Sequence, residues 1–182
     1  MNTMSLPYHF EQSVDLSAHA EVVFEHLDDF ERLGEHMMRP SWMMAGSRMR
    51  YEFDEARGRK PDARVRLLGS VLGMNLEIEE RITERTPGVS KSWQTIGQPR
   101  MLILEAYRMG FTVTPGDAGC RLQVFIDYAT PHGGLGRWLG QIAGGPYARW
   151  CVRSMIDAAV RHFGHADEGP VGARMRKPAA PH

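Results

Sequence analysis

The feature that most constrains this chain is a change in the period of its apolar residues. It turns from helical to alternating near residue 47 and back to helical after about residue 130. In between, "SRMRYEFDE" sets Met49, Tyr51 and Phe53 on one face, and "ARVRLLG" does the same with Val65 and Leu67. "MNLEIEERI" opposes Met74, Leu76, Ile78 and Ile82 to Asn75, Glu77, Glu79 and Arg81. Met109, Phe111 and Val113 alternate with Arg108, Gly110 and Thr112, and Leu122, Val124, Ile126 and Tyr128 with Arg121, Gln123 and Asp127. "VSKSWQTIG" shows no clean alternation, which leaves the facing of Trp93 and Gln94 open. "ARGRKPD", "TPG" and "GDAG" are turn-length breaks. Strands with one polar and one apolar face, joined by short turns, predict an antiparallel sheet that is wet on one side and needs a cover on the other.

The flanks supply the cover. "YHFEQSVDL" predicts a first strand over 8–16, and Ser17 is placed to cap a helix carrying Val22, Val23, Phe24, Leu27 and Phe30. A second short helix is expected over 30–38. At the other end, "HGGLGRWLGQIAGGPYARWCVRSMIDAAVRHF" is helical in pattern, with a break or kink expected at Gly144–Gly145–Pro146. Beyond it, Tyr147, Cys151, Met155 and Ala158 form an apolar stripe. The expected architecture is α+β: about seven strands in a curved antiparallel sheet gripping a long C-terminal helix, with two short helices after strand 1. Residues 1–164 form one domain, and 165–182, rich in Gly, Pro and Ala, read as a disordered tail.

Lys plus Arg and Asp plus Glu number 22 each, so no net field recruits nucleic acid or an anionic membrane, and contact with a membrane is not expected. "MNTMSLPYHFEQ" lacks a basic start followed by an apolar core, so a cytoplasmic location is expected. Cys120 and Cys151 have no metal or redox spacing. Eight histidines form no HxH or HExxH pattern, and no GxSxG or phosphate loop occurs, so neither metal nor cofactor is expected. His26 and His36 read as exposed or rim residues.

Three phrases in order carry a family likeness. They are "VDLSAHAEVVFEHLDDFERL" after the first strand, "ITERTPGVSKSWQT" at a central turn, and "YRMGFTVTPGDAGCRLQVFIDYATP" running into the C-terminal helix. Over roughly 8–164 the chain resembles the START-like helix-grip superfamily, which includes the birch pollen allergen type and bacterial polyketide cyclase/dehydrase-like proteins. The resemblance implies an elongated apolar cavity between sheet and long helix. Members bind lipids, sterols or aromatic compounds, cyclise polyketides, or assist other enzymes, so fold alone does not choose a function.

Two groups of residues could carry one. "EHMMRPSWMMAG" brings Met37, Met38, Trp42, Met43 and Met44 together in a loop, where they can form an adaptable gate or plain packing. Met49, Tyr51, Met74, Ile78, Met109, Phe111, Tyr128, Tyr147 and Cys151 share the inner side, either as core or as a ligand-facing lining. Extending the alternation inward adds Glu80, Tyr107 and Glu105, and a carboxylate facing a half-buried cavity could anchor a ligand or move a proton. The first reading is a small hydrophobic or amphipathic ligand held without covalent chemistry. A cyclase or aromatase using one acid or tyrosine is the second, and an accessory protein acting through a partner the third.

Overall fold

The computed structural model describes residues 5–30, 48–71, 74–101, 103–132 and 134–166. Strand β1 (Tyr8–Leu16) is followed by helix α1 (Ala20–Asp28). Six strands come next: β2 (Arg48–Phe53), β3 (Arg64–Val71), β4 (Met74–Thr86), β5 (Ser90–Arg100), β6 (Ala106–Gly116) and β7 (Gly119–Ala129). Helix α2 (Gly134–Phe163) ends the domain. The strands form one antiparallel sheet in the order β1-β7-β6-β5-β4-β3-β2. Because β1 pairs with β7, the rest of the sheet is a meander of neighbouring strands. The expected second short helix and residues 167–182 of the expected tail lie outside the described residues; the first two tail residues instead pair with β1, His165 bridging Leu16 and the Ala166 N–H bonding the Asp15 carbonyl at 3.1 Å.

The register verifies the alternation. Tyr51 opposes Leu67, Leu67 opposes Ile78, Met109 opposes Ile126, and Phe111 opposes Val124. On the other face, side chains pair in water: His9 with Asp127 at 2.6 Å, Gln123 with Glu11 at 2.8 Å, and Arg121 with Asp15 through two bonds of 2.8 and 2.9 Å. At the β4–β5 turn, the Val89 N–H bonds the Thr86 carbonyl at 3.0 Å, and Gly88 supplies the φ of 73° required after Pro87. A bulge between Ile82 and Glu84 turns Arg85 inward beside Lys91, where unbroken alternation would have placed Glu84.

That re-aiming builds a buried ion cluster at the end of α1. Arg85 donates to both carboxylate oxygens of Asp28, at 3.0 and 2.8 Å. Lys91, 1% exposed, approaches the same carboxylate at 2.9 Å and donates to the Asp28 main-chain carbonyl at 2.7 Å. It therefore satisfies an orphan carbonyl at the end of α1, where the helix dipole favours a cation. Its ammonium also lies 4.2 Å from the Phe30 ring centre. Burial pushes Asp28 upward, but the bonds from Arg85 and Lys91 outweigh it and hold the carboxyl below its ordinary range.

Three expectations about the helices need correction. Ser17 does not cap α1, whose N-cap is His19. The Ser17 hydroxyl instead bonds the carbonyls of Phe163 and His165, at 3.1 and 2.9 Å, and fastens the end of α2 to the end of β1. Nor is His26 at the rim. It is buried, stacked on His162 at 4.1 Å and edge-on to Phe163. Finally, α2 runs through Pro146 without a break. Its glycines serve close approach instead of interruption: a Cβ on Gly144 would lie 2.9 Å from Thr130, and one on Gly140 would lie 2.9 Å from Pro131 and Thr130. The expected stripe is present and wider, since Ala148, Val152, Ile156 and Ala159 are buried with Cys151, Met155 and Ala158.

Two outcomes follow for stability. Asp28→Ala leaves Lys91 buried without its counter-charge and is expected to cost about 3–5 kcal/mol in urea unfolding; a loss below about 1 kcal/mol would show that the cluster does not hold α1. Among the described residues, a Cβ at Gly145 would meet only the Tyr128 hydroxyl at 3.6 Å. Gly145→Ala should therefore stabilise by up to about 1 kcal/mol through helix propensity, whereas Gly144→Ala should gain nothing or lose stability against Thr130. Thermal melts of the two variants compare them directly.

Candidate functional site

The inner face is not sealed evenly. Around α1 and the β6–β7 hairpin it is closed: Leu16, Val23, Phe111, Val113, Leu122, Val124 and Val152 are at most 1% exposed. Toward β2 and the middle of α2 it keeps accessible surface, and Tyr51, Leu76, Tyr107, Tyr147 and Trp150 are only partly buried. This is the half where tyrosines collect on the inward positions of β2, β6 and α2.

Among them sits one carboxyl. Glu80, on β4 between Ile78 and Ile82, is 3% exposed and opposes Val65 on one side and Thr95 on the other. The Tyr107 hydroxyl donates a hydrogen bond to Glu80 Oε1. Burial raises the Glu80 carboxyl to about 7, against the opposing pull of the Tyr107 bond, the Lys91 charge and the Trp93 indole. An acid in this range exchanges a proton near neutrality, which an ordinary surface glutamate does not. Tyr107 and Tyr51 are pushed upward by burial and then by the Glu80 charge, so both stay protonated donors.

Local structure fixes Tyr107. Among the described residues, the β5–β6 ladder runs only from Ser90↔Thr112 to Gln94↔Arg108. Beyond it the Thr95 hydroxyl takes over, accepting from the Tyr107 N–H at 3.1 Å and donating to the Tyr107 carbonyl at 3.3 Å. The strands thus part beside Tyr107 while its backbone remains bonded. From α2, Tyr147 and Cys151 face the same region one helical turn apart. The Tyr147 hydroxyl is raised first by Cys151 and then by burial, and burial pushes the Cys151 thiol up to about 12, so it is no thiolate nucleophile at neutral pH.

The sequence expectations divide accordingly. Tyr51, Ile78, Glu80, Tyr107, Met109, Tyr128, Tyr147 and Cys151 all occupy inward positions. Phe111 belongs to the sealed half, where it packs on Phe24 at 5.7 Å. Met37, Met38, Trp42, Met43 and Met44 lie outside the described residues, as do the side chains of Met49 and Met74. Glu105 is a correction: it precedes β6, its side chain is 48% exposed, and it pairs with His132 at 2.6 Å. The alternation extended back from Met109 fails there because the strand begins at Ala106. Sequence reading left Trp93 open, yet it is 3% exposed and inward, opposing Ile82 and Met109. It also did not find the Lys91–Asp28–Arg85 cluster, whose partners are far apart in the chain.

A separate open depression of about 350 Å³, lined by Pro7, Tyr8, Thr130, His132 and Gln141 among others, contains none of the Glu80 cluster's side chains. Cys120 and Cys151 are free thiols. Among the described residues no group of acids, histidines and cysteines is arranged for a metal, and no helix is long and apolar enough to cross a membrane.

Comparison with known structures shows the same architecture. The Zhui aromatase/cyclase from a Streptomyces species superposes with a TM-score of 0.64 at 16% identity, covering 85% of this chain and 92% of that one. One part of the di-domain aromatase/cyclase StfQ, from the steffimycin biosynthetic pathway, gives 0.61 at 14% identity, over 88% of this chain and 50% of that one. Ara h 8.0201 gives 0.56 at 13% identity, over 85% of this chain and 98% of that one. At such identities these likenesses establish the fold alone. No curated protein matches by sequence. The model of the family described as polyketide cyclase/dehydrase and lipid transport matches residues 7–165, and the chain belongs to that helix-grip family.

Proposed function

We propose that this protein binds a small amphipathic molecule on the inner face of its sheet, beneath the middle of α2. The observation that carries the reading is the uneven closure of that face: the partly accessible Tyr51, Tyr107 and Tyr147 surround the buried Glu80, while the opposite end is shut. Apolar contact with Ile78, Met109 and their neighbours supplies the driving force. Burying about 250 Å² of ligand surface is worth roughly 6 kcal/mol before association costs, or tens of micromolar at best. Hydrogen bonds from the tyrosines then orient the ligand and add to that affinity.

A second reading is favoured by one feature, the near-neutral titration of Glu80. In it the ionised carboxylate takes a proton from a carbon beside a ligand carbonyl, while the tyrosine hydroxyls hydrogen-bond the oxygen on which charge develops. Two structural neighbours, both aromatase/cyclases, make a polyketone the reasonable substrate to try.

Native mass spectrometry of freshly purified protein, with titration of the neutral probe N-phenyl-1-naphthylamine, tests the binding reading. Filling the space with Met109→Trp is expected to weaken the probe at least tenfold while the fold, read by circular dichroism, persists. Undiminished binding in that variant would remove the site from this face. If Glu80 also works as a base, Glu80→Gln lowers turnover by about 10²–10⁴-fold and leaves binding within a few fold. Turnover that survives the change excludes that role.

Glu80 has a signature in stability as well. Its carboxyl rises on folding from an ordinary value of 4.5 to about 7, so the folded state holds the proton more tightly. That contribution is fully present below about pH 4.5 and is lost as pH rises through 7. Between about pH 5 and pH 8, wild type should lose roughly 2–3 kcal/mol relative to Glu80→Gln in paired denaturant titrations. Parallel pH profiles would mean that Glu80 is not buried in solution.

A further inference from the structure

The groups facing Glu80 give the site a preference in charge. From β2 comes the Tyr51 hydroxyl, from β6 Tyr107, and from α2 Tyr147 and Cys151, all neutral at physiological pH. β3 contributes the apolar Val65 opposite it. β5 contributes Thr95, the Trp93 indole and Lys91. Lys91 is the cation among them, but its ammonium is held by the carboxylate and carbonyl of Asp28, at 2.9 and 2.7 Å. Arg85 is likewise committed to Asp28 through two bonds. Both inward cations of the described strands are therefore neutralised at the sealed end, and the open end holds hydroxyls and one acid.

We infer that the site selects uncharged amphiphiles bearing a hydroxyl or carbonyl and rejects free carboxylates, with Glu80 as the specificity-determining residue. The inference rests on the ligand-binding reading above. A neutral ligand oxygen finds the Tyr51 hydroxyl as donor, since that of Tyr107 is given to Glu80, and a ligand hydroxyl finds the Glu80 carboxylate as acceptor. Among the described residues facing Glu80, an anionic headgroup finds no cation but Lys91, which Asp28 holds, and must share a poorly solvated space with a second negative charge. Such a ligand can enter when Glu80 is protonated, so its binding takes up a proton. Above the range where Glu80 ionises, its affinity should fall by up to about tenfold per pH unit. The neutral ligand lacks this linkage.

Isothermal titration with 2-naphthol and 2-naphthoate, matched in shape and different in charge, tests this. At about pH 8 wild type is expected to bind 2-naphthol at least tenfold more tightly than 2-naphthoate. The gap should narrow about tenfold by about pH 6, with proton uptake visible as a buffer-dependent heat for the anion. Glu80→Gln should bring the two affinities together at both pH values, and the wild-type pH series carries the test should that variant not fold. Equal affinities in wild type at pH 8, or a gap that does not change with pH, overturn the selection while leaving the binding site standing. Binding of neither ligand, with N-phenyl-1-naphthylamine also failing, overturns the binding reading and this inference with it.

Discussion

A helix about 10 Å across lies against a sheet of seven strands, and strands spaced about 4.8 Å apart would span roughly 29 Å if flat, so α2 alone cannot cover the inner face. Sheet twist and the bulges in β4 and β5 curl the sheet around the helix and reduce the mismatch. α1 takes a second share at one end, where Phe24 packs on Phe111. What remains lies between β2, β6 and the middle of α2, where Tyr51, Tyr107 and Tyr147 keep accessible surface. The candidate site is thus the part of the face that the two described helices leave uncovered.

The two ends of that face handle buried charge in opposite ways. At the closed end, Asp28 meets two cations, so α1 is fastened and the carboxyl is held below its ordinary range, while burial lowers Lys91 to about 8. Toward the open end, Glu80 has hydrogen-bond donors but no paired cation, and its proton becomes labile near neutrality. A carboxyl in such surroundings weakens the fold as pH rises, a cost that purely structural packing would have avoided with an aliphatic residue. The glycines of α2 contribute to the same end: Gly140 and Gly144 let the helix settle onto Thr130, which sets how far Tyr147 and Cys151 stand from the sheet.

Much of this was readable from residue order. Period-2 alternation placed Tyr51, Ile78, Met109 and Tyr128 inward, and extending it by one step reached Glu80 and Tyr107. The same extension failed at Glu105, whose N–H still bonds the Ala129 carbonyl of β7 at 2.8 Å but which precedes the first residue of β6 and turns its side chain to His132. Ser17 had the chemistry of a helix cap and was used to hold α2 instead, since an equally good set of free carbonyls lies beside it in space. Glycines next to a proline read as a break, whereas tight contact with Thr130 gives them a packing role that no local pattern displays.

The sequence by itself determined the fold class and the facing of most strands, and it narrowed the inward acid to Glu80 or Glu105, because side-chain period is a local property of the chain. Tertiary structure alone decided that Lys91 and Arg85 belong to Asp28, that Tyr107 bonds Glu80, and that one end of the inner face is closed while the other is not. Those facts depend on distances between residues separated by 27 to 63 positions and on one bulge that turns Arg85 inward. A carboxylate becomes a proton-exchanging group only when its neighbours are known, and neighbours across a sheet are fixed by register and curvature.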